Sequence, residues 1–259
     1  MKPLQITFVG LGSEQLGISQ LSAIARREGH HVGLAFSASL FHDRYNLDFP
    51  SFASYFDDTQ NVIQDIRDQK PDVLAFSALT STYQWMLNVA RMAKLINPEI
   101  KTIFGGVHPS AVSQLDISKD EVDYVVVGEG DEAFPLILKQ ISQADYLTPI
   151  YNTRFKDISG NVITGVQKGF IQDLDSLPFY DKILWEEHIR LGDLYLTMAS
   201  RGCPYKCTFC FNNYFANLPK EKQTVLGLYV TAKEAYEKWQ AEPEKVKIID
   251  VRTPEEFLF

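Results

Sequence analysis

Three cysteines lie close together near the end of the chain and are the only cysteines in its 259 residues. They are Cys203, Cys207 and Cys210 in the stretch RGCPYKCTFCFN, and a short loop with this spacing can turn three thiolates toward one metal centre. A cubane iron–sulfur cluster takes four thiolate ligands, so this set would leave one iron without a cysteine. The alternatives are a structural zinc site completed by His188 or a carboxylate, and three ordinary buried cysteines. We favour the cluster because structural zinc sites usually pair CxxC-type hairpins and fill four positions.

Composition limits the kinds of partner that the chain can bind and the cellular compartment in which we expect it. The chain has 33 acidic and 25 basic side chains and a net charge of −8, which argues against a nucleic-acid partner because such partners need clustered basic residues. The N-terminal stretch MKPLQITFVGLG has the pattern of a strand rather than of a signal peptide, and no apolar run reaches about 18 residues. We therefore predict no membrane span. Three grouped cysteines suit a reducing compartment, so we expect a cytoplasmic location.

The first half of the chain alternates strand-like and helix-like segments. The predicted strands cover 4–9, 31–36, 73–79, 101–106 and 122–128, and the predicted helices cover 18–29, 57–68, 83–96 and 131–141. Short strands rich in Val, Ile and Phe that alternate with amphipathic helices imply a parallel sheet covered on both faces. The sequence therefore predicts a doubly wound, Rossmann-like α/β domain of about five strands that ends near Ala144.

Sheets of this class bind ligands at the carboxyl ends of their strands, where this chain has several glycines. Gly10, Gly12 and Gly17 follow the first strand, but their spacing is not GxGxxG. They are equally well explained as glycines that turn a strand into a helix. The adjacent pair Gly105 and Gly106 is more informative, because two glycines at a strand end let a flat group approach the backbone.

The pattern changes after the first domain. Alternation on both sides of Ser159, Gly160 and Asn161 predicts a β-hairpin, and the stretch LDSLPFYD reads as a turn-rich connector. We interpret 145–193 as a linker that contains this hairpin. The stretch LYLTMAS then begins a new strand that leads directly into the cysteines.

The cysteine segment resembles a known signature. CPYKCTFC, with Gly202 before it and Phe209 before its last cysteine, is similar to the CxxxCxΦC motif of radical S-adenosylmethionine (SAM) enzymes. The resemblance implies a [4Fe–4S] cluster on Cys203, Cys207 and Cys210, with SAM on the open iron and Phe209 beside the adenine. It also implies that LYLTMAS is the first strand of a (β/α) barrel and that an electron donor such as flavodoxin or ferredoxin is a partner.

The first domain resembles the cobalamin-binding domain that precedes the radical SAM core in a large subfamily. The resemblance rests on SEQLGISQLSA, KPDVLAFSALTSTYQW, TIFGGVHPS and VDYVVVGEGDEAF. It implies a flavodoxin-like sheet whose strand-end loops surround the corrin and its nucleotide tail. The residues implied are Gln15, Leu16, Gly17, Ser77, Leu79, Thr80, Gly105, Gly106, His108, Gly128, Glu129 and Gly130. Gly12 and Glu14 stand where many such domains have the Asp and His of DxHxxG, so we expect no lower histidine ligand on cobalt.

The last part of the chain resembles a different family. A radical SAM barrel takes roughly 200 residues, and 49 residues follow Cys210. The stretch 218–259 is similar to the opening of a rhodanese-like domain, with a helix at 232–240, the strand KIIDV and a helix start at Thr253 and Pro254. We therefore expect a cobalamin-binding domain at 1–144, a hairpin linker at 145–193, a truncated barrel start at 194–217 and a partial rhodanese-like fragment at 218–259.

These observations leave three functional hypotheses. The first is a cobalamin-dependent radical SAM enzyme of the methyltransferase type that acts on a small-molecule or unknown substrate, with no catalytic residue assigned. The second is a non-catalytic cobalamin-binding module from a truncated or chimeric gene. The third is a flavodoxin-like nucleotide or flavin binder in which Gly105 and Gly106 contact the phosphate or the flavin.

Overall fold

A computed structural model describes most of the first two hundred residues. The described residues are 2–38, 42–43, 47–48, 56–171, 173–189, 196–198 and 201. The three cysteines, Phe209 and the rhodanese-like stretch lie outside them, so the expectations for these segments stay predictions.

Strands and helices alternate along the described residues, as the sequence predicts. The strands are β1 (Gln5–Leu11), β2 (His31–Ser37), β3 (His42–Asp43), β4 (Leu47–Asp48), β5 (Val73–Ser77), β6 (Lys101–Gly105), β7 (Tyr124–Val126), β8 (Thr153–Lys156) and β9 (Val162–Thr164). The helices are α1 (Leu16–Arg27), α2 (Thr59–Gln69), α3 (Thr80–Ile96), α4 (Val107–Ile117), α5 (Ala133–Gln143) and α6 (Ile183–Glu186), with a 3₁₀ turn at Leu174–Ser176. No helix in this part of the chain combines the length and the apolar character that crossing a membrane requires.

Seven of the strands form one sheet in the order β2-β1-β5-β6-β7-β8-β9. The strands from β2 to β7 in this order run parallel, and β8 and β9 are antiparallel additions at one edge. The parallel part has the flavodoxin-like strand order that the sequence analysis expects. Its order reverses at β1, because the chain leaves β1 toward β2 on one side and returns to β5 on the other. In such sheets the ligand crevice forms at this reversal, at the carboxyl ends of the strands.

Hydrophobic side chains cover both faces of the sheet. Successive residues of a strand point to opposite faces, so Phe8 and Val9 of β1 belong to different clusters. Val9 packs with residues of α2 and α3, whereas Phe8 packs with residues of α1 and α5. The alternation therefore fixes which helices lie on each face.

Helix α4 is an element that the sequence analysis does not predict. Its buried face carries the polar residues Ser110, Ser113 and Asp116, and the helix is kinked at Val112 (φ −127°, ψ 32°). A helix whose buried side is polar shows no hydrophobic periodicity, which is the main sequence signal for a helix. The reason for the polar face is visible at Ser110, whose hydroxyl donates to the Gly106 carbonyl (2.7 Å) and accepts from the next loop.

The predicted hairpin is present and continues the sheet. Strand β8 pairs with β7 in antiparallel register, and Phe155 of β8 stacks on Tyr124 of β7 with ring centroids 5.3 Å apart. At the turn, the Asp157 carboxylate accepts the backbone N–H groups of Ser159 and Asn161. Gly160 has a φ of +81°, which a glycine adopts without strain. The stretch predicted as a linker is thus packed against the domain over this hairpin.

Trp185 of α6 ties a further part of that stretch to the domain. Its side chain is fully buried, and its Nε1 donates a hydrogen bond to Ser19 Oγ on α1 (2.8 Å). Its ring lies edge-on to Phe36 and covers Gly10 of β1, where a Cβ atom would come within 3.2 Å of the indole. Gly10 therefore gives the indole room to reach the sheet.

Replacing Trp185 tests whether this stretch stabilises the domain. Trp185→Ala should lower the free energy of unfolding by about 3–5 kcal/mol, because it leaves a large cavity and removes the indole hydrogen bond to Ser19 Oγ. Phe179→Ala is the control, since Phe179 is 94% exposed and should change stability by less than about 0.5 kcal/mol. Urea unfolding followed by circular dichroism measures both. Equal effects of the two substitutions would contradict the packing.

Candidate functional site

A cavity of about 250 Å³ opens at the carboxyl edge of the sheet, between the strands and helices α1 and α5. Its inner wall is hydrophobic and comes from both the sheet and the helices. The apolar side chains that line it include Phe8, Ile18, Leu21, Ala75, Ile103, Val126 and Phe134. The cavity lies beside the strand reversal at β1, so an apolar group could be buried where the topology predicts a ligand.

Five glycines take part in the cavity lining: Gly17, Gly105, Gly106, Gly128 and Gly130. A Cβ atom added at Gly105 would have no neighbour closer than 3.8 Å, and one at Gly17 none closer than 3.9 Å. Side chains at these positions would therefore take up cavity space without a clash of their own Cβ. Gly106 has a different role, because its φ is +100° and its Cβ would lie 2.8 Å from the Ala78 carbonyl oxygen. The fold itself requires glycine at that position.

A charged group stands at the rim of the cavity. Arg201 makes two parallel hydrogen bonds to Asp131, from Nη1 to Oδ2 (2.7 Å) and from Nη2 to Oδ1 (3.0 Å). Its Nη1 also lies 3.3 Å from Glu129 Oε1, while Glu129 Oε2 accepts the Ile171 N–H (2.8 Å). The Asp131 side chain is 6% exposed and that of Arg201 20%. The hydrogen bonds to Asp131 raise the pKa of Arg201, so the guanidinium stays charged.

His108 lies next to the Gly105–Gly106 pair, but both of its ring nitrogens face protein groups. Nδ1 is 3.1 Å from Thr80 Oγ1, and Nε2 is 3.6 Å from Asp116 Oδ1. The ring also packs on Tyr83, with centroids 4.1 Å apart. Burial lowers the pKa of His108. In this arrangement neither nitrogen is free to bind a metal at the edge of the sheet.

Asp116 is a buried carboxyl group beneath this histidine. Its side chain is 2% exposed, and its carboxyl group lies beside the Tyr83 hydroxyl. Burial raises the pKa of Asp116 to about 6. Burial, and then the nearby Asp116 charge, raise the pKa of Tyr83.

Glu14 is the residue at which the sequence resemblance predicts no histidine ligand. Its Oε1 accepts hydrogen bonds from Ser19 Oγ (3.2 Å) and from Lys182 Nζ, and its side chain is 9% exposed. The carboxylate is thus held by α1 and by the residue that precedes α6. The expected lack of a lower histidine ligand stays a prediction.

The structure brings most of the predicted ligand-binding loops together. The predicted residues in the cavity wall are Leu16, Gly17, Ser77, Gly105, Gly106, Gly128, Glu129 and Gly130. Four others lie near the same edge without lining the cavity, namely Gln15, Leu79, Thr80 and His108. Sequence reasoning missed the wall residues Gln20, Asp131, Tyr180, Met198 and Arg201. All five lie in stretches that the sequence had marked for other reasons, and Arg201 stands two positions before Cys203.

Comparison with known proteins identifies the family. The sequence profile of the B12 binding domain matches residues 6–138, just over half of the chain, and the chain belongs to this family. An uncharacterised methyltransferase of Pyrococcus horikoshii is 29% identical over 199 residues, which are 74% of this chain and 42% of that protein. Hopanoid C-3 methylase of Methylococcus capsulatus is 28% identical over 215 residues, 80% of this chain and 38% of the methylase. The chain therefore spans less than half the length of these curated relatives.

A solved structure shares the fold. The cobalamin-dependent S-adenosylmethionine radical enzyme OxsB, with aqua-cobalamin bound, superposes with a TM-score of 0.55 at 16% identity. The match covers 70% of this chain and 24% of the OxsB chain. The predicted cobalamin-binding fold is thus confirmed.

Replacing Asp116 tests whether its buried carboxyl group beside Tyr83 and His108 destabilises the domain. An ionised Asp116 with a pKa of about 6, against an ordinary 3.8, should lower the stability by about 3 kcal/mol at pH 7. The stability should fall as the pH rises from about 4 through 6. Asp116→Asn removes this carboxylate from beside Tyr83 and His108, so the variant should melt higher than the wild type at pH 8 and equally near pH 4.

The control for that test is Asp145→Asn, on an exposed loop. Hydrogen bonds from Thr148 lower the pKa of Asp145, so its removal should not stabilise the chain at pH 8. Melting curves from pH 4 to pH 8 compare the three proteins. A higher melting temperature of Asp116→Asn at pH 4 and pH 8 alike would contradict the assignment.

Proposed function

We propose that this chain is the cofactor-binding part of a cobalamin-dependent radical SAM methyltransferase. In this proposal the aromatic base of the cobalamin nucleotide tail enters the cavity, and the corrin lies over the strand-end loops. The observation that carries it is the apolar, glycine-walled cavity at the strand reversal of a B12 binding domain. The methyltransferases among the relatives support the reaction class.

The cavity suits a part of the cofactor rather than all of it. Its volume of about 250 Å³ lies below the roughly 300–1,000 Å³ of sites that enclose a whole drug-sized ligand. A two-ring aromatic base attached to a ribose and a phosphate presents an apolar end and a polar end. The apolar inner wall fits the first, and Ser77, Glu129 and Arg201 at the rim offer hydrogen-bonding groups to the ribose of the second.

The loops outside the cavity offer a surface for a broad ring. Leu79, before α3, is 53% exposed, and Val107, at the start of α4, is 37% exposed. Both follow the ends of neighbouring strands, β5 and β6. Covering such side chains with a large ring would remove apolar surface from water, which favours binding.

The chain's residues would hold and orient the cofactor. Bound cobalamin would supply a cobalt atom able to carry a methyl group. The chain's own tasks would be to bury the base, set the tilt of the ring through the loops after β5 and β6, and keep water from the ring's lower face. His108 would support the Thr80 loop rather than the cobalt, because its nitrogens face Thr80 and Asp116.

The second part of the proposal concerns the cysteine motif. Cys203, Cys207 and Cys210 would hold a [4Fe–4S] cluster whose open iron binds SAM, with Phe209 beside the adenine. These residues lie outside the described part of the chain, so the support is their spacing and the radical SAM relatives. A reducing partner such as flavodoxin or ferredoxin would supply the electron, and the substrate is a small molecule or is unknown.

Filling the cavity tests the cobalamin site. Gly105→Leu should weaken cyanocobalamin binding at least about tenfold, because the added side chain takes the space of the base. Gly169→Leu is the matched control, since its Cβ meets no atom within 4 Å and it does not line the cavity. Absorbance titration gives the affinities. Equal cyanocobalamin affinity of the two variants would show that the base binds outside this cavity. A protein that binds FMN but not cyanocobalamin would favour the flavodoxin-like hypothesis.

Removing the thiols tests the cluster. The triple variant Cys203→Ala, Cys207→Ala and Cys210→Ala should bind no iron after anaerobic reconstitution and should form no 5′-deoxyadenosine from SAM. Its cobalamin affinity and melting temperature should match those of the wild type, because the cysteines lie outside the domain that binds the base. Mössbauer spectroscopy of the wild type should show a cubane cluster. Zinc in place of iron would overturn this part of the proposal.

A further inference from the structure

Arg201 connects the cavity rim to the chain just before the cysteine motif. It comes from beyond the matched domain, 63 positions after residue 138, yet it contacts Asp131 and Glu129 on the loop after β7. All three residues line the cavity. The rim therefore contains a side chain contributed by the segment that leads to the cysteines.

The short stretch of chain between Arg201 and the first cysteine limits how far apart the two residues can lie. Only Gly202 separates Arg201 from Cys203. Consecutive Cα atoms are about 3.8 Å apart, so two peptide units reach at most about 7.6 Å. Wherever the Arg201 backbone is held, the Cα atom of Cys203 must lie within that distance of the Arg201 Cα atom.

We propose that Arg201 is a positioning residue that couples occupancy of the cavity to the placement of the cysteine motif. The inference rests on the proposed cobalamin site and adds to it a link between the two cofactor sites. A ligand in the cavity would touch Glu129, Asp131 and Arg201 together when the guanidinium is docked. Such a ligand favours the docked state, because it gains contacts there that it lacks in the undocked state.

The geometry of the contact favours a specific link over an incidental surface ion pair. The two parallel bonds from the guanidinium to Asp131 fix direction as well as distance, which a lysine ammonium cannot do. Both partners are also largely withdrawn from water, at 20% and 6% side-chain exposure. The ion pair of Arg91 with Glu121 differs, since the Arg91 side chain is 54% exposed and the pair does not line the cavity.

Thiol alkylation can report on the link directly. The three cysteines of the motif are the only ones in the chain, so any alkylation reports on this motif alone. The experiment uses the full chain, reduced and free of iron under anaerobic conditions. The probe in the cavity is cyanocobalamin, because its cyanide occupies one face of the cobalt and hinders coordination by a thiolate. Mass spectrometry after timed reaction with N-ethylmaleimide gives a rate for each cysteine.

We expect saturating cyanocobalamin to slow alkylation of Cys203 in the wild type about fivefold, at the low end of couplings between protein sites. The effect should weaken from Cys203 to Cys210, because each added residue loosens the constraint. In Arg201→Gln, cyanocobalamin should bind up to about fivefold more weakly, because such a coupling is reciprocal, and at saturation alkylation should no longer respond to it. Arg201→Lys should respond partly, and Arg91→Gln, the matched control, should respond like the wild type.

Each outcome separates this inference from the proposed function. A wild type that binds cyanocobalamin without a change in alkylation overturns the coupling and leaves the cobalamin site standing. Protection that survives in Arg201→Gln overturns the role of Arg201. A wild type that binds no cyanocobalamin overturns the cobalamin site, and the coupling falls with it. If Arg201→Gln does not fold by circular dichroism, Asp131→Asn removes the same charge pair from the other side and carries the same expectation.

Discussion

A series of hydrogen bonds joins the loops that follow β5, β6 and β7, and the candidate site depends on it. The Ala78 N–H donates to the Gly105 carbonyl (2.8 Å), and the His108 N–H donates back to the Ala78 carbonyl (3.1 Å). The Gly128 N–H then reaches the Ser110 hydroxyl (2.9 Å). The first two bonds bring the loops after β5 and β6 so close together that a Cβ atom at Gly106 would lie 2.8 Å from the Ala78 carbonyl oxygen. Glycine at position 106 thus lets the loops after β5 and β6 come together, and the Ser110 hydroxyl links them to the loop after β7.

Beneath this rim, the domain buries groups that work against its stability. The Asp116 side chain is 2% exposed, and burial raises its pKa to about 6, so its charge at neutral pH lowers the stability of the domain. Such groups are common at functional edges, where position matters more than stability. Here they hold the His108 ring against Thr80, on the loop that would meet the corrin.

The sequence predicts what depends on local pattern and misses what depends on distant contacts. Strands and helices followed from hydrophobic periodicity, and the hairpin followed from its turn around Gly160. Helix α4 did not, because its buried face is polar. The glycine loops were identified through family resemblance, whereas the pairing of Asp131 with Arg201 joins residues 70 positions apart. No local signal shows that Trp185 lies over Gly10.

The packing of Trp185 also affects where the boundary of this domain should be drawn. A boundary drawn at Ala144, where the repeating pattern stops, would remove β8, β9 and the indole together. The fragment would present β7 as an open strand edge beside an uncovered apolar groove, two features that promote self-association. The folding unit therefore extends at least to Trp185, which lies beyond the residues 6–138 that match the family.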